Sequence, residues 1–365
     1  MNRRSSYGSA IAFVYLGLLG MSASGQDDGS DPLSGIRAKD TIGRTDHRAI
    51  HDWIREQVEV FTKSEEPDRF KRFRTAFTEQ LRDPANSEQF VRALAKQAGV
   101  VATEDFAKAD TDPTVAQGLA RILFDIKRSD RIPGLVAGLA SKEAVVRFLC
   151  ARGLAEEIPT LENDKDQRAA AITALRSAGA AESEYVVLSR IYLALAYDKQ
   201  VQEVFDGFMA LFDVRLQLRR NTAVFVDRAE VDAYSYFLRV AGQLTAPQNG
   251  ELVRRLAVFL RLDAERYAAR WAGKVLSVDE QQSLESRLGA AEELLGVIVG
   301  NGRGGDITAK LEYSFSKTVG VVQDPAKKDT MLRALAQWVG AADADGTPKS
   351  GILNDAPWNV PTGAP

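Results

Sequence analysis

The chain has 365 residues, of which 45% are hydrophobic and 27% are charged, and its mean hydropathy is −0.20. This composition is that of a folded globular protein, and it excludes wholesale disorder and a collagen-like chain. The 47 basic and 50 acidic residues give a formal net charge of −3. A general nucleic-acid binder needs excess Lys and Arg to neutralise phosphates, so we expect no nucleic-acid partner.

Residues 1–25 have the pattern of a secretory signal peptide. Arg3 and Arg4 precede an apolar run over residues 10–21, and small residues follow that run. The run is shorter than the roughly 20 residues that cross a bilayer. We therefore expect cleavage before Gln26, export through the secretory route to the periplasm or the extracellular space, and no stable membrane span afterwards. A retained N-terminal anchor is the alternative.

Composition separates a central domain from two flanking segments. Residues 26–41 are rich in Gly, Ser and Asp, which predicts a flexible linker, and residues 343–365 contain several prolines, which predicts a flexible tail. Between them, over residues 42–342, apolar residues recur at the i, i+3, i+4 and i+7 positions, with almost no alternation of period two. This pattern predicts an all-α domain.

Fourteen helices are predicted in chain order, and some of their starts carry capping signals. Asp112 precedes a proline, which suits the first helical turn. The pairs Ser277 with Glu280 and Asp227 with Glu230 have the spacing of capping boxes. The predicted helices cover residues 46–63, 67–82, 88–99, 113–128, 131–140, 143–157, 165–178, 184–197, 200–219, 228–244, 250–274, 279–299, 307–320 and 325–340.

Residues 132–154 contain a short helix that opens near Pro133 and a second helix with the Val-Arg step Val146-Arg147. This segment resembles a HEAT repeat. A weaker copy follows, in which Leu175 lies 36 residues after Leu139, close to the HEAT period of about 40. The first segment departs from the family pattern at Ser141, where the turn usually has Asp. The second departs from it at Arg190, which is displaced from the Val-Arg register.

The resemblance covers residues 112–197 and implies helix pairs stacked into a superhelical solenoid. Long helices over residues 250–274 and 279–299 are atypical of HEAT units, so the C-terminal third is expected to be an irregular helical bundle. The resemblance also implies that Arg147 pairs at a junction between repeats. The positions expected to serve structure are Pro133, Leu135, Leu139, Val146, Arg147, Cys150 and Leu154.

Cys150 is the only cysteine, so the chain cannot form an intrachain disulfide. It lies between apolar positions of a predicted helix, and no histidine is near it in sequence. A thiol in such surroundings behaves as a small buried hydrophobe. We therefore expect Cys150 to be buried and unreactive.

His47 and His51, the only two histidines, are spaced i, i+4, which places both imidazoles on one helical face as a metal site requires. The glutamate of a zinc protease helix is absent between them, and an ordinary solvated first turn is the alternative. Ser314 and Lys317 have the Ser-x-x-Lys spacing of acylating enzymes, but the companion motifs are missing. We expect no metal, no other cofactor and no catalytic residue.

Arg215, Arg219 and Arg220 follow an aromatic-rich helix segment. A basic arc beside aromatic residues predicts a surface that engages an acidic partner. The alternative is an ordinary helix C-terminus, where the macrodipole favours cations.

Two functional classes follow from these patterns. The favoured one is an exported helical-repeat scaffold that binds a protein or peptide on an extended surface without catalysis. The alternative is a helical-barrel hydrolase that uses an unidentified pair of carboxylates. A deep pocket lined by two carboxylates would favour the hydrolase, and an open groove would favour the scaffold.

Overall fold

The computed structural model describes residues 31–108, 110–196, 201–221, 228–272, 276–301, 311–318, 327–342, 348–355 and 357–361. Fourteen α-helices account for most of this part of the chain, which confirms the predicted all-α fold. Within the same ranges, no helix is both long enough and apolar enough to span a membrane.

The helices alternate with short turns in the order that the periodicity predicts. They are α1 (Arg44–Lys63), α2 (Arg69–Arg82), α3 (Glu88–Phe106), α4 (Pro113–Asp125), α5 (Ile132–Gly138), α6 (Ala144–Glu157), α7 (Lys165–Ala181), α8 (Tyr185–Ala196), α9 (Val201–Asn221), α10 (Ala229–Val240), α11 (Ala246–Ala272), α12 (Val278–Asn301), α13 (Phe315–Thr318) and α14 (Lys327–Val339). Two short antiparallel strands follow, β1 (Ala341–Ala342) and β2 (Pro348–Lys349).

The helices pack in two rows. In the first row α1, α3, α5, α7, α9 and α11 each contact the next member, and in the second row α2, α4, α6, α8, α10 and α12 do the same. Contacts such as α3 with α4 and α7 with α8 join the rows. The same alternation continues through α11 and α12, the long helices for which the sequence predicts an irregular bundle. At the C-terminal end α13 packs on α12, and α14 packs on α11.

Capping side chains mark several helix starts. The Asp112 carboxylate accepts a hydrogen bond of 2.7 Å from the Thr114 amide. Ser277 and Glu280 form both bonds of a capping box, at 2.8 and 3.2 Å. Asp227 lies outside the described residues, and its predicted box partner Glu230 makes other contacts, which are described below.

Glycines allow two first-row helices to approach closely. A Cβ atom on Gly134 of α5 would lie 2.8 Å from the Cα of Gly99 on α3. The sequence predicts that α3 ends at residue 99. Instead α3 continues to Phe106, because Val101 and Ala102 extend its buried face. Gly99 therefore marks a helix crossing rather than a helix end.

Aromatic side chains fill the core between α8 and α11. The ring of Phe208 on α9 stacks on Tyr192 of α8 and on Tyr236 of α10, with centroids 5.8 and 5.1 Å apart. Phe212 meets Phe259 of α11 edge-on at 5.5 Å. The aromatic-rich segment of α9 is thus core rather than surface.

The flanking segments are packed where the structure describes them, in contrast to the predicted flexible linker and tail. Leu33 and Ile36 are buried, and the Ser87 amide donates a 2.7 Å hydrogen bond to the Arg37 carbonyl. Near the other end Leu353 is buried, and its amide donates to the Trp338 carbonyl at 2.9 Å. Scattered apolar residues in these Gly- and Pro-containing segments outweigh their turn-rich composition.

Candidate functional site

An open groove lies beside the turns that join α5 to α6 and α7 to α8. Its volume is about 720 Å³. The short α5 ends at Gly138, whereas α7 runs 17 residues to Ala181, so the last turns of α7 line one side of this opening. The lining residues are Val136, Leu139, Ala140, Ser141, Lys142, Ala144, Arg147, Ala174, Ser177, Ala178, Ala181, Glu182, Ser183 and Glu184.

An ion pair fixes the polar part of the groove. Arg147 of α6 donates from Nε and Nη2 to the two carboxylate oxygens of Glu182, at 2.7 and 2.8 Å. Its Nη1 donates to the carbonyls of Ser141 and Lys142, at 3.0 and 2.9 Å. The bidentate pair holds the α5–α6 turn against the α7–α8 turn.

The chemistry of this pair follows from its surroundings. The hydrogen bonds to Glu182 raise the pKa of Arg147 above its usual value, and partial burial opposes them. The Glu182 carboxylate also accepts a 2.8 Å hydrogen bond from the Glu184 amide. Three donors therefore converge on the carboxylate of Glu182.

Exposed apolar residues adjoin the groove. Val145 follows the lining residue Ala144 and is 50% exposed, and Tyr185 follows Glu184 and is 52% exposed. Val186 is 46% exposed. These residues lie in the first turns of α6 and α8, which pack on each other. Exposed apolar side chains at such a place are typical of a contact surface.

Of the residues expected to serve structure, Leu139 and Arg147 line the groove, and the others lie elsewhere on α5 and α6. The side chains of Leu135, Leu139, Val146 and Leu154 are buried, whereas Pro133 is exposed at the second position of α5. The Cys150 thiol is fully buried, and burial raises its pKa to about 12. A thiol with this pKa is not a nucleophile at neutral pH.

The predicted basic arc is split between core and surface. Arg215 and Arg219 are buried, so they cannot form an exposed patch, and only Arg220 of the three is exposed. Arg215 donates to Glu230 at 2.6 Å, and Arg219 donates to Glu230 at 2.7 Å. Helical spacing placed the first two on one face, but that face points toward α10 and α11.

Arg219 also donates to Asp263 at 2.7 Å, and Arg287 of α12 donates to Asp263 at 2.9 Å. These contacts join α9, α10, α11 and α12 in one buried ion network. Burial would raise the pKa of Glu230, but Arg219, Arg215 and Arg287 together lower it to about 2. Both carboxylates of the network are ionised at neutral pH, so the network is a structural element of the C-terminal half.

The two histidines face α3 rather than a common ligand. The His47 Nδ1 lies 3.3 Å from the Gln97 amide nitrogen, and the His51 Nε2 lies 3.4 Å from the Glu104 carboxylate. Among the described residues no group of three or more His, Cys, Asp or Glu side chains could hold a metal ion. The i, i+4 spacing therefore serves helix contact at this place.

Ser314 donates a 2.6 Å hydrogen bond to the buried carboxylate of Glu292. The same carboxylate accepts from the amides of Phe315 and Ser316, at 3.1 and 2.9 Å, and from the Trp338 indole nitrogen at 3.1 Å. The Ser-x-x-Lys spacing thus belongs to an anchored helix start, and the Lys317 side chain lies outside the described residues.

Comparisons with known proteins return no match: no protein-family model, no curated protein and no solved structure is similar to this chain.

Sequence reasoning missed the groove and the role of Glu182. This residue follows a predicted helix and has no motif around it. One signal was present, because the expected junction role of Arg147 required a carboxylate in the next repeat. The exposure of Val145 and Val186 carried no signal, since apolar residues at helical spacing equally predict core.

Proposed function

We propose that this protein is an exported helical-repeat scaffold whose two rows of helices form a superhelical solenoid. In this proposal a segment of a partner protein binds in the groove between α5 and α7. The observation that carries it is the open groove with alanine-rich walls beside a fixed ion pair. Successive helices belong alternately to the first and the second row, and this arrangement supports the repeat architecture.

The dimensions and lining of the groove favour a peptide ligand. A volume of about 720 Å³ lies in the range of specific ligand sites. Val136, Leu139 and several alanines offer apolar walls, while Lys142, Glu182 and Glu184 offer charges of both signs. The apolar side chains of a peptide can pack on these walls, and its polar backbone can hydrogen-bond to the charged side chains.

The hydrolase alternative is less well supported by the same residues. The groove contains two carboxylates, but both oxygens of Glu182 accept hydrogen bonds from Arg147. Glycoside hydrolysis needs two carboxylates that can reach the substrate. The groove thus offers one such carboxylate, Glu184, instead of a pair.

A peptide library screened against the mature chain tests the groove. We expect peptides selected on the parent to lose at least tenfold in affinity for Ser177→Trp, because Ser177 lines the groove and an indole there fills it. Ala180→Trp is the matched control, since Ala180 is exposed on the same helix and does not line the groove. Equal binding to all three proteins, each with the parent's melting temperature, would reject the groove.

Export is tested separately by intact mass of the protein recovered from the cell envelope and medium. We expect a chain that begins at or near Gln26, as the succession of arginines, apolar run and small residues predicts. Recovery of a membrane-bound chain that retains Met1 would contradict export with cleavage.

A further inference from the structure

Two arginines on the second row of helices are stacked on phenylalanine rings of the preceding helix in that row. The guanidinium carbon of Arg152 on α6 lies 4.6 Å from the ring centroid of Phe124 on α4. The guanidinium carbon of Arg190 on α8 lies 5.1 Å from the centroid of Phe148 on α6. Stacking on a ring holds a long cationic side chain in a defined place.

Among the ion pairs of the described residues, none joins Arg152 or Arg190 to a carboxylate within 4.0 Å. The Nε atom of Arg190 is buried and has no hydrogen-bond partner there. A partner would therefore meet the guanidinium of Arg190 through its terminal nitrogens, as carboxylates commonly do with arginine.

The acidic residues close to these arginines are engaged elsewhere. Asp125 binds Arg74, and Glu156 binds Lys127. Asp232 of α10 accepts a hydrogen bond from Ser189. Asp232 also attracts the half-buried Arg190 electrostatically, whereas Arg152 is exposed, so both arginines add positive charge to this part of a chain whose formal net charge is −3.

Apolar side chains share this surface. Val145, Phe148 and Arg152 are spaced i, i+3 and i+7 on α6, and Val186 and Arg190 are spaced i, i+4 on α8, so each set lies on one helix face. Because Arg190 stacks on Phe148, the two faces meet. We call these five residues the arginine face.

We propose that the arginine face binds an acidic protein segment that also carries apolar side chains. Its carboxylates pair with Arg152 and Arg190, and its apolar side chains pack on Val145, Val186 and the half-buried Phe148. This inference rests on the proposed function in taking a protein segment as the ligand, but it names a surface beside the groove, made of residues that do not line it. Charge complementarity selects the segment, because an acidic peptide is repelled by most of an acidic chain and attracted here.

Fluorescence anisotropy with a labelled synthetic peptide of alternating glutamate and leucine tests the inference. We expect binding to the parent to weaken at least tenfold in the double variant Arg152→Glu/Arg190→Glu. We also expect it to weaken as sodium chloride rises from 0.05 to 0.5 M, because screening shortens the reach of charge. The matched control is Arg44→Glu/Arg254→Glu, which reverses two exposed arginines on α1 and α11. All variants must melt like the parent.

Four results would overturn the inference. One is unchanged affinity of the double variant, and another is an equal loss in the control, which would indicate general electrostatics. The third is equal binding of an all-glutamate peptide, since it would remove the apolar contribution. The fourth is binding to phosphatidylglycerol vesicles without binding to the peptide, which would indicate a lipid surface.

The groove variant Ser177→Trp separates this inference from the proposed function. Loss of glutamate–leucine peptide binding in Ser177→Trp, with retention in Arg152→Glu/Arg190→Glu, would place the ligand in the groove and reject the arginine face alone. Retention in Ser177→Trp and loss in the double variant supports the arginine face, whatever the library screen shows for the groove.

Discussion

Gly138 and Cys150 meet where α5 packs on α6, and they show how closely the first repeat-like segment is packed. A Cβ atom on Gly138 would lie 2.3 Å from the Cys150 sulfur, far inside van der Waals contact. The Cys150 side chain has no exposed surface. Helix approach at this point therefore depends on the absence of a single methyl group.

Gly138→Ala is expected to destabilise the protein by about 1–3 kcal/mol, because the added methyl group overpacks the α5–α6 contact. Cys150→Ala should restore part of the loss, since removing the sulfur makes room. Gly207→Ala on α9 is the control, because a Cβ there meets nothing within 4 Å. Chemical denaturation of the three variants measures the effect, and a Gly138→Ala variant as stable as the parent would contradict it.

Cys150 should resist thiol reagents in the native state at pH 8. Its pKa of about 12 leaves almost no thiolate, and burial blocks access. We expect one thiol per chain to react with dithionitrobenzoate in guanidinium chloride and almost none to react beforehand. Fast stoichiometric labelling of the folded protein would show that the α5–α6 contact opens readily.

Glu230 makes the free energy of unfolding depend on pH in the acidic range. Its folded-state pKa of about 2 lies below the usual value of 4.5, so the ionised form stabilises the fold above about pH 4.5. This contribution is lost as pH falls through the interval from 4.5 to 2. The pKa of Asp263 is also lowered, by Arg219 and Arg287 against the effect of burial, so it acts in the same direction.

Glu230→Gln should cost about 3–5 kcal/mol at pH 7, because it leaves Arg215 and Arg219 buried without their full counter-charge. The loss of stability between pH 5 and pH 3 should then be smaller than in the parent. Urea titrations at both pH values measure this. Glu59→Gln provides the comparison: the pKa of Glu59 is also lowered by Lys63, but the pair is exposed and screened by solvent, so this change should alter the profile far less. A profile that stays unchanged in Glu230→Gln would reject the network as its source.

At the scale of helices, one arrangement occurs twice in the N-terminal half. Arg131 donates to the carbonyls of Leu123 and Phe124 at the end of α4 and to Glu157, at 2.6, 2.7 and 2.6 Å. Arg147 likewise binds two turn carbonyls after α5 and then Glu182. In both places an arginine satisfies carbonyls near the end of one helix and reaches a carboxylate at the end of the next helix in the same row, Glu157 as the last residue of α6 and Glu182 directly after α7.

At the C-terminal end, the single carboxylate of Glu292 on α12 joins the start of α13 to the end of α14. Glu292→Ala would leave the Ser314 hydroxyl, two backbone amides and the Trp338 indole without their common acceptor. We expect a loss of about 3 kcal/mol or more, with faster amide exchange in residues 311–318. Ser314→Ala removes one donor only and should cost about 1 kcal/mol. Similar effects of the two changes, measured by denaturation and hydrogen exchange, would contradict a shared anchor.

At the scale of the whole molecule, the two rows make each helix depend mainly on its neighbours. Val146 is fully buried on α6, which contacts α4, α5 and α8. Val146→Asp places an unpaired carboxylate in that core and should cost several kcal/mol. We expect a fall in melting temperature of more than about 2 °C, with the loss of hydrogen-exchange protection greatest in α4, α5, α6 and α8.

The exposed Val145 provides the matched control for this prediction. Val145→Asp is one residue away on the same helix and should leave the melting temperature almost unchanged. If both variants melt like the parent, α6 is not packed as described. If protection is lost equally in α1 and α12, the molecule unfolds as one unit instead of by neighbouring helices.

Helical periodicity was sufficient to predict the fold class and most helix bounds. The apolar stripe of α1 and the capping residues Asp112 and Ser277 are local signals. They depend only on residues a few positions apart, so the packing of distant helices does not change them. The errors arose where one residue type serves two purposes. Gly99 marks a crossing instead of a helix end, and the turn-rich segments near Leu33 and Leu353 carry just enough apolar surface to pack.

The candidate site was less predictable because it depends on which helix faces meet. Helical spacing grouped Arg215 with Arg219 correctly, but spacing does not reveal whether a face meets water or another helix. The partners Glu230 and Asp263 lie up to 44 residues away in the chain. The groove similarly arises because α5 is much shorter than α7, which packs beside it. The sequence of either helix alone does not reveal which helix it will pack against.

The neighbour-by-neighbour packing of the rows also sets an order in which the molecule can assemble. A helix that contacts mainly the next two elements can complete its contacts soon after those elements emerge, so α1 to α8 can settle before α12 is available. The exception is α11, whose surface is covered by the more distant α14. A chain delivered from its N-terminus would therefore consolidate progressively, but the face of α11 would stay uncovered until α14 arrives, and a holding chaperone would have most to protect there.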